Sequence, residues 1–148
     1  WFIDDIIHVN SSQKELLSLD KIDLKTKAVT QKFSLKDKSF IRDSLNDISL
    51  ISRNANKLIY KSSSVNNQFA VFSEAYYYKG WQAYIDDVPV EHYKVNYLLR
   101  GIEIPKGKHE IKFEFKPKVV QRGSIISVFA YLILILVLIK LIKERFYV

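Results

Sequence analysis

Glu110-Ile111-Lys112-Phe113-Glu114-Phe115-Lys116 is the stretch on which the fold turns. Apolar and charged residues alternate through it without a break, the period-2 pattern of a strand with one buried and one wet face. Ile111, Phe113 and Phe115 are therefore expected in a core, with Glu110, Lys112 and Glu114 toward water. A few residues further on the pattern changes completely. Gly123 to Ile139 carries no charge, and extension to Ile142 gives an apolar segment of about 20 residues, or roughly 30 Å of helix. That length matches the hydrocarbon thickness of a bilayer. Lys140 can snorkel to the interface, and Phe146 and Tyr147 fall where an interfacial aromatic belt is expected. A helix apolar on all faces would need a much larger soluble protein than 148 residues to cover it. The expected organisation is a β-rich domain over 1–118, then a juxtamembrane segment and membrane helix over 119–148, with the span at about 123–142.

Working outward, charge supports the same division. The net charge is +7, but residues 1–115 hold 17 Lys+Arg against 15 Asp+Glu, whereas residues 116–148 hold six Lys+Arg and only Glu144. Lys116, Lys118 and Arg122 precede the apolar segment, and Lys140, Lys143 and Arg145 close it. Cations so placed meet anionic lipid head groups. A nucleic-acid reader would carry its basic stripe on the folded part, so no nucleic-acid partner is expected. Three basic residues at each end leave the orientation undecided by charge alone. Cys is absent, which excludes a disulfide framework, a cysteine zinc site and a thiol nucleophile. Met is also absent and the chain opens on Trp1-Phe2-Ile3, so we expect it to be part of a longer polypeptide whose upstream region is missing.

Toward the N-terminus, Gln82 to Ile85, Asp86-Asp87 and Val88-Pro89-Val90 predict a hairpin with a two-residue turn. Pro89 belongs on an edge strand because it has no N–H to donate. Leu98 to Ile104 predicts another strand, with a turn at Pro105-Lys106-Gly107-Lys108. Leu58 to Tyr60, Phe69 to Ala75 and, more weakly, Ile48 to Ile51 predict strands, with Arg53-Asn54-Ala55-Asn56 as a turn and Ser62-Ser63-Ser64 as a polar loop. Ile6 to Val9 predicts a short strand. Ser12 followed by Glu15 has the spacing of a capping box and predicts a helix over Gln13 to Leu19. Residues 20–47 give no clear pattern. Short strands in succession favour a mainly β, antiparallel sandwich-like domain with one short N-terminal helix, followed by the transmembrane helix.

Two stretches carry a resemblance. Ser73-Glu74-Ala75-Tyr76-Tyr77, with Gly80-Trp81-Gln82-Ala83-Tyr84-Ile85-Asp86-Asp87, is followed by Asn96-Tyr97-Leu98-Leu99-Arg100-Gly101 and Pro105-Lys106-Gly107-Lys108-His109. In order and spacing this resembles the C-terminal region of the YfhO-like family of bacterial multi-pass membrane proteins, over residues 70 to 145. Phe115-Lys116-Pro117 and the apolar helix fit the same pattern. Asp87 stands where that family often has Gly, which suggests a different turn type. The resemblance implies a GT-C-type membrane glycosyltransferase that uses lipid-linked sugars to decorate cell-envelope polymers in the bacterial inner membrane. It implies catalytic carboxylates in an upstream loop, the β domain outside the cytoplasm, and the C-terminus inside. A membrane-anchored carbohydrate-binding or structural module without enzymatic activity is the alternative.

Candidate chemistry within the chain is sparse. Asp4-Asp5 and Asp86-Asp87 are adjacent pairs whose side chains diverge on an extended strand, so neither converges on one substrate atom. His8, His92 and His109 lack ligand spacing, and no Gly-x-Ser-x-Gly elbow or phosphate-binding Gly-rich loop occurs. No catalytic residue, metal or cofactor is expected in this region. The aromatic cluster Tyr76, Tyr77, Tyr78, Trp81, Tyr84, Tyr93 and Tyr97 is the exception. Its rings can fill the core, stack on sugar faces or sit at lipid head groups. Tyr77, Trp81 and Arg100 are the candidate contacts with glycan or head group, with an internal ion pair from Arg100 to Glu74 or Asp86 as the competing role. The expected partners are the lipid bilayer, the upstream membrane region of the same chain and a lipid-linked sugar or envelope glycan.

Overall fold

A computed structural model describes residues 1–146 apart from Asp37, Arg42 and Ser44; the side chains of Lys118, Gln121, Glu144 and Phe146 fall outside that description. The aromatic belt expected at Phe146 and Tyr147 therefore lies outside the described residues. The chain divides into two units, Trp1–Phe115 and Lys116–Val148.

In the first unit the strands are β1 (Phe2–Ile3), β2 (Asp5–His8), β3 (Lys27–Thr30), β4 (Asp47–Asn54), β5 (Lys57–Ser64), β6 (Gln68–Ala75), β7 (Trp81–Ile85), β8 (Val88–Val90), β9 (Tyr93–Val95), β10 (Leu99–Ile104) and β11 (Gly107–Phe115), with helix α1 (Ser12–Leu19) after β2. They build a four-stranded sheet in the order β1-β6-β10-β9 and a five-stranded sheet in the order β4-β5-β11-β7-β8, both antiparallel. The alternation that predicts β11 places that strand at the centre of the larger sheet, where Ile111 and Phe113 are fully buried. They pack with Leu58, Ala83 and Ile85 against Phe2, Ala70, Phe72, Ile102 and Ile104 of the facing sheet. The mainly β antiparallel sandwich is thus the observed fold. Pro89 lies on β8, an edge strand, as its missing N–H requires.

The smaller sheet is covered on its other face too. Ile3, Phe69, Val71 and Val95 meet Ile6, Ala28 and Leu35 in a second core. Burial on both faces accounts for the unbroken burial of Gln68 to Phe72, where a one-faced strand would alternate. The covering layer is a parallel pair, β2 with β3, joined through α1. A parallel pair needs a crossover of about a dozen residues or more, and α1 with its flanking turns supplies it.

Several expectations are corrected in detail. Ser11, not Ser12, caps α1: its hydroxyl accepts from the Lys14 N–H at 3.3 Å. Glu15 is buried and works as a tertiary anchor instead of closing a capping box. Arg53 and Asn54 belong to β4, so the turn is only Ala55-Asn56, and Ser62-Ser63-Ser64 lies inside β5 because it pairs with Gly107 to His109. The β10–β11 turn is only Pro105-Lys106. Phe115 remains 37% exposed, since β11 ends there and no facing strand covers it.

The turn that carries Asp87 is resolved in detail. Asp86 and Asp87 take φ of 50° and 66°, the doubly left-handed geometry of a type I′ hairpin turn, which Asp tolerates better than most residues. Their carboxylates are satisfied on separate partners. Asp86 meets His109 Nδ1 at 2.6 Å and the Glu110 N–H at 2.9 Å, while Asp87 pairs with Lys112.

The second unit is the helix α2 (Lys118–Phe146), of which Arg122–Lys143 is long and apolar enough to cross a membrane. Its apolar side chains, Ile125 to Ile142, are broadly exposed within the unit, which suits a lipid environment and not water.

Candidate functional site

The resemblance stretches meet at both ends of the sandwich: Asp86-Asp87 with Pro105 to His109 at one, and Ala75 to Trp81 with Asn96 to Arg100 at the other. β6 ends at Ala75, β7 starts at Trp81, β9 ends at Val95 and β10 starts at Leu99, all at that end; β11 finishes beside them at Phe115, paired with Trp81. The Tyr76 N–H donates to the Leu98 carbonyl at 2.7 Å and ties the two connecting loops together.

Arg100 and Gly101 point to opposite faces of β10. Arg100 faces the sandwich core and is 1% exposed. Its guanidinium lies 4.2 Å from the Trp81 ring centre and 5.1 Å from that of Phe113, and Nε donates to the Ala75 carbonyl at 2.8 Å. That carbonyl is available because the β6–β10 register slips between Leu99 and Arg100, a bulge that places Ser73 and Glu74 outside the regular ladder. The proposed ion pairs are not formed: Arg53 lies 3.3 Å from Glu74, and His109 holds Asp86. Arg100 is thus an internal support for Trp81. On the opposite face, Gly101 lies against the Phe69 ring, and a Cβ there would overlap it. A Cβ at Gly80 would meet Phe115 and Tyr77, the Tyr77 ring lying 2.8 Å from it.

Of the three candidate contacts, Trp81 and Arg100 are brought together and Tyr77 lies one ring away. Tyr77 stacks on Phe115 at 6.4 Å and Trp81 packs on Phe115 at 5.3 Å. Only Tyr77, 49% exposed, offers a broad free face; Trp81 is half-buried.

A concave site lies beside them. A cleft of about 260 Å³ is lined by Glu15, Gln31, Lys32, Tyr76, Tyr93 and Lys94. Tyr93 stacks on Phe69 at 6.3 Å and so presents one face outward. Burial, with Glu91 and Glu103 nearby, pushes its hydroxyl up to about 12, and burial also raises that of Tyr76; both are neutral donors at physiological pH. Lys32 pairs with Glu91 at 2.8 Å, which holds its ammonium above the usual lysine value. Lys94 lies 4.8 Å over the Tyr97 ring.

Glu15 sets the floor. Its carboxylate accepts from the Tyr97 N–H at 2.8 Å and from Gln31 Nε2 at 2.6 Å, joining α1, the segment after β3 and the β9–β10 loop. Asn96 completes that joint, donating its N–H to the Val29 carbonyl and accepting the Val29 N–H on Oδ1, both at 2.8 Å. Asn96 and Tyr97 are held at φ of 49° and 68°, a conformation that a ring-bearing residue rarely adopts. The Asn-Tyr motif therefore has a local cause: Asn substitutes for a strand partner and Glu15 fixes the strained Tyr97. Sequence reasoning missed Glu15, Lys32 and Lys94 because they come together only through the β2–α1–β3 layer. Glu15 was visible only as a capping-box partner for Ser12, not as a buried tertiary anchor.

The family model described as bacterial membrane protein YfhO matches residues 7–127, from β2 through the start of α2. The chain belongs to the YfhO family. No curated protein and no solved structure matches it. As a YfhO protein it is a membrane protein, and the bilayer contacts α2.

Proposed function

We propose that this YfhO chain is an extracytoplasmic accessory domain with the final membrane span of a GT-C-type glycosyltransferase, which transfers sugars from lipid-linked donors to cell-envelope polymers in the bacterial inner membrane. The catalytic carboxylates lie upstream of Trp1, the C-terminus faces the cytoplasm, and the β domain engages the glycan. The cleft between Tyr76 and Tyr93 carries this reading. A sugar ring has an apolar face and a hydroxylated rim, and a phosphate-linked donor adds negative charge. The cleft sets neutral phenols and a Gln31 amide beside the ammonium groups of Lys32 and Lys94. Tyr77 follows the cleft residue Tyr76 in the chain, and Trp81, buttressed by Arg100, packs with it on Phe115.

Sugar transfer from a lipid-linked donor to envelope polymer, measured in membranes carrying the intact YfhO protein, tests the proposal. Combining Tyr93→Ala with Lys32→Ala is expected to lower transfer by about tenfold at unchanged protein abundance, equivalent to about 1.4 kcal/mol of lost contact. Wild-type membranes without transfer would refute the glycosyltransferase reading. Full transfer by the double variant would refute the role of the cleft. Glycan binding by a chain that supports no transfer would favour the anchored carbohydrate-binding module.

A further inference from the structure

We propose that the end of the β domain bearing Tyr77, Tyr78, Tyr97, Leu98 and Phe115 seats on the lipid head-group layer. These five side chains are 37% to 65% exposed, an unusual concentration of large apolar surface for one end of a domain. They form one connected patch: Tyr77 stacks on Phe115, Tyr76 stacks on Tyr78 at 6.4 Å, and the Tyr76 N–H bonds to the Leu98 carbonyl. Three of the five are tyrosines, whose apolar body and polar tip suit the membrane–water interface. Lys79 lies 5.8 Å over the Tyr78 ring and Lys94 4.8 Å over the Tyr97 ring, so cations flank the patch where anionic head groups would meet them.

Chain length identifies the lipid surface as the occupant. Phe115 is the last residue of β11, and only Lys116-Pro117 separate it from α2, whose membrane-crossing stretch begins at Arg122. The three Cα steps from Phe115 to Lys118 reach at most about 11 Å, and the four helical steps to Arg122 add about 6 Å. The head-group layer of one leaflet is itself roughly 5–8 Å deep. Phe115 is therefore tethered within about 17 Å of the hydrocarbon edge, and the exposed rings beside it can reach that layer. The proposal needs the membrane character of α2 and does not depend on sugar transfer.

The Cys-free chain permits a direct test. Single-cysteine variants Tyr78→Cys, Leu98→Cys and Val65→Cys, each carrying a nitroxide, are reconstituted as the full chain in phosphatidylcholine/phosphatidylglycerol vesicles. Val65, 50% exposed, follows β5 at the opposite end of the sandwich and serves as the water-exposed control. The ratio of collisions with membrane-soluble oxygen to collisions with an aqueous nickel chelate is expected to be at least about twofold higher at positions 78 and 98 than at 65, as for interfacial residues. Ratios at 78 and 98 equal to that at 65 overturn the proposal. If one label disturbs folding, the other decides.

Discussion

The glycines of the two motifs do similar work with unequal tolerance. At Gly101 the obstructing ring is Phe69, fully buried between Phe40 and Tyr93, with nowhere to go. At Gly80 the obstructing rings are Phe115, 37% exposed, and Tyr77, 49% exposed, each open to solvent on one side. Gly101→Ala is therefore expected to cost about 1–3 kcal/mol, as overpacking in a closed core does. Gly80→Ala should cost clearly less. Thermal unfolding followed by near-UV circular dichroism checks the order, and equal losses would contradict it. The pairing of Arg100 with Trp81 is a related lesson. The sequence marked both residues but could not tell a surface anion contact from an internal cation–π contact. That distinction depends on which face of β10 is buried, and both faces are.

Among elements, the β7–β8 and β10–β11 turns are clasped by His109, which meets Asp86 through Nδ1 and the Lys106 carbonyl through Nε2 at 3.1 Å. The Asp86 hydrogen bond raises the imidazole above its ordinary value, and His109 in turn lowers the Asp86 carboxyl. The His109 contribution is complete below the unfolded imidazole value near 6.5 and is lost as pH rises through the higher folded value. The Asp86 contribution is present at neutral pH and is lost as pH falls through its lowered value. With Asp86 about half exposed, solvent screening leaves less than about 1 kcal/mol for the pair. His92 works in the opposite sense. Burial, then the Arg100 charge, pushes it down to about 4, against a weaker pull from Glu91. Its neutral form is favoured on folding, so stability falls by about 2–3 kcal/mol as pH drops from 6.5 toward 4. Denaturant midpoints against pH should therefore form a dome. His92→Phe is expected to flatten its acid side and His109→Gln its alkaline side; an unchanged profile in either variant would show that group to be silent. β7 and β11 were legible from their alternation, β6 and β10 from their residue content and flanking turns, and α1 from its start signal. β3 and β9 were not. Each is only three or four residues long, and β3 owes its place to the parallel pairing with β2 and to the Asn96 side chain.

For the whole molecule, the membrane helix and the β domain could be told apart from charge and periodicity alone, because one is apolar on every face and the other alternates. The covering layer over the smaller sheet could not, since it lies in the Lys/Asp/Ser-rich stretch where no face is continuous. The proposed orientation predicts that a reporter fused after Val148 is active only in the cytoplasm, while one inserted at the Val65-Asn66-Asn67 turn is active only outside; the reverse pattern would invert the topology. The position of β11 also bears on how the domain is made. It is the last strand of the domain in the chain, yet it sits between β5 and β7 at the middle of the larger sheet. Until Phe115 has emerged from the ribosome and its exit path, β5 and β7 lack the partner that joins them, and both expose unpaired backbone. Closure of this sandwich is therefore a late, long-range event that coincides with delivery of α2 to the bilayer. In that interval the nascent chain depends on rapid insertion, or on chaperone cover, to escape edge-to-edge aggregation.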